Sequence, residues 1–215
     1  MTIYFISGLG ADKRMFSRLK LPGEYTVVHL EWIAPIEKES LENYVKRLSA
    51  KIDTTKPFHL LGLSFGGMVA TELAKIIRPE KIFLLSSASM GKEIPWYYKF
   101  FGLIRLQLMV PAGMLKKTNF LTWWFAGVKT EEDKDLLRKV LKETDSTFLR
   151  WSITKIAWWT NAARPSNLFH IHGSFDNVLP IRFIRADHVV KGGGHLMVLD
   201  RWEEISKVLV ERLST

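Results

Sequence analysis

Fifteen residues, HLLGLSFGGMVATEL from His59 to Leu73, run one apolar segment into another through a turn that holds Gly62, Ser64 and Gly66. The first segment, Phe58–Leu63, is short and apolar throughout and predicts a strand buried on both faces; the second, Met68–Ile77, predicts a helix halted by Pro79. A strand delivered straight into a helix is half of a crossover, and its next partner strand lies parallel to it.

The rest of the chain repeats the alternation. Strands are predicted at Thr2–Ser7, Tyr25–Trp32, Lys81–Ser87, Leu168–Gly173 and Ala186–Lys191. Between them fall a short helical stretch, Asp12–Leu19, and a helix through Ile52 that Ser40 caps, with Leu41, Tyr44, Val45 and Leu48 on one face. A closing helix, Trp202–Leu213, carries an apolar stripe of Ile205, Val208 and Leu209. Such an order predicts an α/β fold: a mostly parallel sheet of about six strands with helices on both faces. At 215 residues the chain suits one domain.

From Gly91 to Ala163 the alternation breaks. This stretch reads as helical throughout, holds six of the eight tryptophans, and carries 12 Lys/Arg against 7 Asp/Glu. It is expected to be a helical insertion, residues 91–163, sitting on a core built from 1–90 and 164–215.

Composition removes several function classes. There is no cysteine, so disulfides, thiolate metal sites and cysteine nucleophiles are out. The six histidines never take a HExxH spacing, and no metal site or cofactor is expected. The net charge of +9 raises nucleic acid as a partner, but the basic residues are dispersed and no recognition motif accompanies them, so none is expected. The opening MTIYFISGLG lacks a signal peptide's basic start. The longest apolar stretch, FFGLIRLQLMVPAGML, is broken by Arg105, Gln107 and Pro111, so no transmembrane segment is expected and the location is read as cytoplasmic.

The turn itself carries the chemistry. Gly62–Gly66, GLSFG, fits the G-x-S-x-G pattern in the strand–turn–helix context that gives it meaning. A turn this sharp forces its serine into a backbone conformation disfavoured for a residue with a Cβ, and lifts the hydroxyl off the sheet edge. The helix that follows aims its positive end at the same place, where an oxyanion forms during acyl transfer. Ser64 is therefore the candidate nucleophile, and it needs a base and an acid.

On these motifs the whole chain resembles the α/β-hydrolase superfamily, whose triads follow the order serine, acid, histidine. Ile171–Pro180, IHGSFDNVLP, matches the family segment after the penultimate strand and implies Asp176 as the acid. Gly192–Val198, GGGHLMV, matches the loop after the last strand and implies His195 as the base. The resemblance further implies an oxyanion hole from the backbone N–H groups of Phe65 and Leu9, the latter in the loop SGLGADKRMF. Here Ser7 stands where the family usually has histidine, so the loop's bracing is expected to differ. Serine at position 64 argues against the members that use an aspartate nucleophile.

By position, 91–163 corresponds to the family's lid, and Trp123, Trp124, Trp158 and Trp159 are candidates for the pocket wall. The implied function is a serine hydrolase acting on a small carboxylic ester or thioester through an acyl-enzyme. An acidic acyl-carrier protein is a weaker candidate partner, suggested by the basic insertion. The alternatives are a slow-turnover, receptor-like binding protein, or a lyase or perhydrolase on the same triad.

Overall fold

The computed structural model describes residues 1–103 and 116–214. Part of the insertion, residues 104–115, thus lies outside the described residues, as does most of the apolar stretch weighed above as a membrane span. Six strands form one sheet: β1 (Thr2–Ile6), β2 (Thr26–His29), β3 (Phe58–Leu63), β4 (Lys81–Leu85), β5 (Leu168–Gly173) and β6 (His188–Val190). Their spatial order is β2-β1-β3-β4-β5-β6, and every neighbouring pair is parallel.

The period of two along each strand sends side chains to alternate faces. Ile3, Phe5, Leu61, Leu63, Phe83 and Leu85 pack in one layer, under α7 (Met197–Asp200) and α8 (Trp202–Leu213). Tyr4, Ile6, Phe58, Leu60, Ile82 and Leu84 pack in the other, under α1 (Leu41–Ser49) and α2 (Phe65–Leu73). Being buried on both sides, β3 and β4 read as unbroken apolar runs. The edge strand β2 is mostly exposed along its length.

The elements fall near their expected places, with differences at their ends. Ser40 caps α1, its Oγ accepting from Asn43 N–H, but the helix closes at Ser49; Lys51 and Ile52 follow in tighter turns that bond to Leu48 and Ser49 carbonyls. The segment expected as a helix over Asp12–Leu19 contains only a single 3₁₀ turn, Lys13–Phe16, held by Asp12 accepting from Arg14 N–H. β2 and β6 are shorter than expected because each is an edge strand, paired on one side only. α2 starts at Phe65, three residues earlier than its apolar spacing suggests, so Ser64 is its N-cap.

Between β4 and β5 the described residues form α3 (Trp96–Leu103), α4 (Phe120–Ala126), α5 (Glu131–Glu143) and α6 (Ser146–Ala157). Among the described residues no helix is long and apolar enough to cross a membrane.

The sheet order fixes where a ligand can sit. The chain leaves β1 toward β2, then returns to the other side of β1 to lay down β3, so the crevice beyond the carboxyl ends of β1 and β3 is a topological switch point. Ile6 lies opposite Gly62 in the register, which brings the loop after β1 level with the turn at Ser64.

Candidate active site

Ser64 takes φ 51° and ψ −119°, a region a side chain makes costly, and one the surrounding turn enforces. Its amide continues the sheet by donating to Leu85 O at 2.9 Å, and its carbonyl accepts from Ser87 Oγ at 2.6 Å. The flanking glycines are required by contact. A Cβ on Gly66 would overlap the carbonyl oxygens of Ile6 and Ser7, and one on Gly62 would overlap the backbone of Gly66. Those are backbone atoms of β1, of the loop after it and of α2, and cannot swing aside. Gly66→Ala is therefore expected to cost about 3 kcal/mol, the upper end of the usual range for overpacking, read as a lowered urea midpoint. An unchanged midpoint would mean that the turn is looser than its geometry.

Three loops at the carboxyl ends of β3, β5 and β6 bring the expected triad together. His195 Nε2 lies 2.8 Å from Ser64 Oγ, and His195 Nδ1 lies 2.8 Å from Asp176 Oδ2. Asp176 and His195 are buried. Asp176 Oδ1 accepts from the N–H groups of Val178 at 2.9 Å and Leu179 at 2.8 Å, so both carboxylate oxygens are engaged. With Nδ1–H donating to the carboxylate, Nε2 carries the lone pair that faces the serine hydroxyl.

Leu9 and Phe65, expected to supply the oxyanion donors, flank this centre: Leu9 follows β1 and lines the cavity at Ser64, and Phe65 begins α2. Among the described residues neither backbone N–H meets a protein acceptor. The loop after β1 is braced without a histidine, because Ser7 Oγ donates to Ala11 O at 2.9 Å and Ala11 N–H donates to Gly8 O.

A cavity of about 190 Å³ opens at Ser64 and His195. Its apolar wall comes from Leu9, Phe125, Leu137, Leu141, Val178 and Leu196. None of the four expected tryptophans lines it. Trp123 and Trp124 sit on the other side of α4 and line a separate cavity of about 510 Å³ with Phe120 and Phe175. Positions 120, 123 and 124 share one helical face while 122, 125 and 126 share the opposite one, so α4 divides the two spaces. Trp159 is buried in the core, where its indole N–H donates to Glu72 Oε1 at 2.7 Å. Trp158 is half exposed, beside Gly102 on α3. The tryptophan pair and Phe125 thus lie on opposite faces of α4, and Phe125, one residue beyond the pair, is the ring that lines the cavity at Ser64.

The competing carboxylates are engaged elsewhere. Asp187 pairs with Arg164 and accepts from His170 N–H at 2.7 Å, and Asp200 lies 3.6 Å from Lys129. Among the described residues no group of three His, Asp or Glu could hold a metal ion.

Three further histidines, His59, His170 and His172, are buried. Burial, helped by Lys81, pushes His59 down to about 4; burial likewise holds His172 below and His170 well below the ordinary imidazole value. The unfolded chain protonates the same side chains near pH 6.5. Below that pH the unfolded state binds more protons than the native state, so stability falls as pH drops from about 6.5 toward 4, by up to about 1.4 kcal/mol per pH unit for each histidine. Urea melts at pH 7 and pH 5 should show the lower midpoint at pH 5; equal midpoints would contradict buried neutral rings.

Comparison with known proteins comes to the same fold. The model of the Alpha/beta hydrolase family matches residues 3–208. Among solved structures, an esterase from Exiguobacterium antarcticum superposes with a TM-score of 0.76 at 18% identity, covering 100% of this chain and 92% of that one. An enol-lactonase from Burkholderia xenovorans LB400 gives 0.67 at 19% identity, covering 100% and 91%. A bromoperoxidase from Bacillus anthracis gives 0.70 at 14% identity, covering 100% and 92%. No curated protein matches the chain.

Proposed function

Because the chain belongs to the alpha/beta hydrolase family, we propose that it is a serine hydrolase that cleaves a small carboxylic ester or thioester through an acyl-enzyme on Ser64. The observation that carries this reading is the unbroken line from Ser64 Oγ through His195 to Asp176, two hydrogen bonds of 2.8 Å each.

The steps follow from that line. His195 Nε2 takes the Ser64 proton as Oγ attacks the substrate carbonyl carbon, and Asp176 stabilises the imidazolium that forms. The carbonyl oxygen, now an alkoxide, accepts from the Leu9 and Phe65 N–H groups at the positive end of α2. Collapse expels the alcohol or thiol, which leaves with the proton from Nε2. Water then gives its proton to His195, attacks the acyl carbon and releases the acid, and the proton returns to Ser64. This chemistry needs no cofactor.

Residues 91–163 act in this reading as a lid whose helices α4 and α5 wall the acyl pocket. The cavity at Ser64 is somewhat larger than the roughly 150 Å³ that accommodates benzene in an engineered protein core. Esters of short or phenyl-sized acids therefore suit it better than long-chain ones. The similarity to an esterase and an enol-lactonase supports hydrolysis.

A panel of p-nitrophenyl esters of graded acyl length, with acyl-thioesters alongside, tests the proposal. Turnover faster than about one per second on at least one member is expected, within the ordinary range for enzymes. Turnover slower than about one per minute on every member, beside tight ligand binding, would point to a receptor instead.

A further inference from the structure

Beneath Asp176 lie two buried rings that the hydrolytic steps leave unused. His172 Nε2 is 2.8 Å from Leu179 O and 3.4 Å from Asp176 Oδ2, and His172 Nδ1 is 3.2 Å from His170 Nε2. Both rings are fully buried, and they meet edge to face with centroids 5.1 Å apart.

Proton positions follow from the partners. Leu179 O can only accept, so His172 Nε2 carries hydrogen. Nδ1 of neutral His172 is then an acceptor, and His170 Nε2–H fills it. The Ser87 amide, 3.4 Å from His170 Nε2, is the weaker competitor for that nitrogen.

Leu179 is also the residue whose N–H holds Asp176 Oδ1. Its carbonyl is gripped by His172 and its amide grips the acid, so one peptide segment links the ring pair to the triad. Ser87, beside His170, donates from its hydroxyl to the carbonyl of Ser64. The acid and the nucleophile therefore rest on the same buried cluster.

We propose that His172, held in its Nε2–H form by His170, is a positioning residue that fixes the Asp176 turn and so sets the angle at which the carboxylate meets His195. This inference rests on the triad reading above. It assigns His172 no contact with substrate.

A pair of amide substitutions separates positioning from mere filling. In His172→Gln the amide nitrogen falls where Nε2 was and can still reach Leu179 O; in His172→Asn it falls near Nδ1 and cannot. His172→Gln should keep kcat within about threefold. His172→Asn should lower kcat roughly 10–100-fold with KM little changed, the scale of a sub-ångström to ångström misplacement in a catalytic group. The deshielded NMR signal of the proton between His195 and Asp176 should survive in the glutamine variant and be lost in the asparagine variant. Equal activity and an equal signal in the two variants would overturn the proposal. Imidazole ¹⁵N spectra of the wild-type protein read the same point without a variant: they should place the proton on Nε2 of both rings at neutral pH, and a proton on Nδ1 of His172 would overturn it. Failure of the triad reading itself has a different signature, an active Ser64→Ala.

Discussion

Ser64→Ala is expected to lower kcat on p-nitrophenyl esters by roughly 10⁵–10⁶-fold, while the fold and its urea midpoint stay close to wild type. The proposed covalent step has no other route: Oγ is the hydroxyl 2.8 Å from His195 Nε2, and alanine leaves His195 with only water to activate. The residual rate measures what the oxyanion donors contribute alone. Alanine at φ 51° inherits the serine's backbone strain and adds none, so a loss of activity can be read as a loss of chemistry. Steady-state rates of p-nitrophenolate release suffice to test this, and a loss smaller than about a hundredfold would mean that another group attacks.

Asp176→Asn is expected to cost roughly 10²–10⁴ in kcat, for a reason specific to this loop. Val178 and Leu179 both donate N–H to Oδ1, so the asparagine oxygen stays there and its NH₂ turns toward His195 Nδ1. Nδ1 must then accept, the ring proton moves to Nε2, and the lone pair that faced Ser64 is gone. Asp187→Asn and Asp200→Asn serve as controls and should stay within about twofold of wild type, since these carboxylates pair with Arg164 and Lys129 away from the serine. Near-full activity in Asp176→Asn with a dead Asp187 variant would assign the acid elsewhere.

What the sequence made legible was decided by how local each determinant is. β3, the turn at Ser64 and the cap at Ser40 depend on neighbouring residues, and their spacing could be read directly. The six-strand parallel sheet followed from the alternation of strands with helices, plainest at β3 and β4, which are buried on two faces and read as apolar runs. Asp176 and His195 were placed by resemblance; residues 112 and 131 positions away from Ser64 in sequence have no local signal that would join them. The residues that wall the cavity at Ser64 carry no local signal for a related reason. Phe125 and the tryptophan pair Trp123–Trp124 lie on one short helix, and which face of it turns toward Ser64 depends on where that helix docks. α4 docks through Ala126 O, which accepts from Leu196 N–H beside the base, a contact between distant segments. That His172 braces the acid turn by hydrogen bonding is legible from its place before Gly173; that the group it grips is the Leu179 carbonyl, seven residues on, is not. Ser7 shows the converse case: the different bracing expected of the loop after β1 is a hydroxyl reaching Ala11 O four residues on.

The central claim is that Ser64 is an activated nucleophile, and covalent capture tests it most directly. A fluorophosphonate, which mimics the tetrahedral intermediate and adds to activated serines, is allowed to react to completion, and the adduct is located by peptide mass. One adduct per chain, on Ser64, and none in Ser64→Ala is the predicted result. An adduct on another residue that persists unchanged in Ser64→Ala, or no adduct at all on the folded wild-type protein, would contradict it.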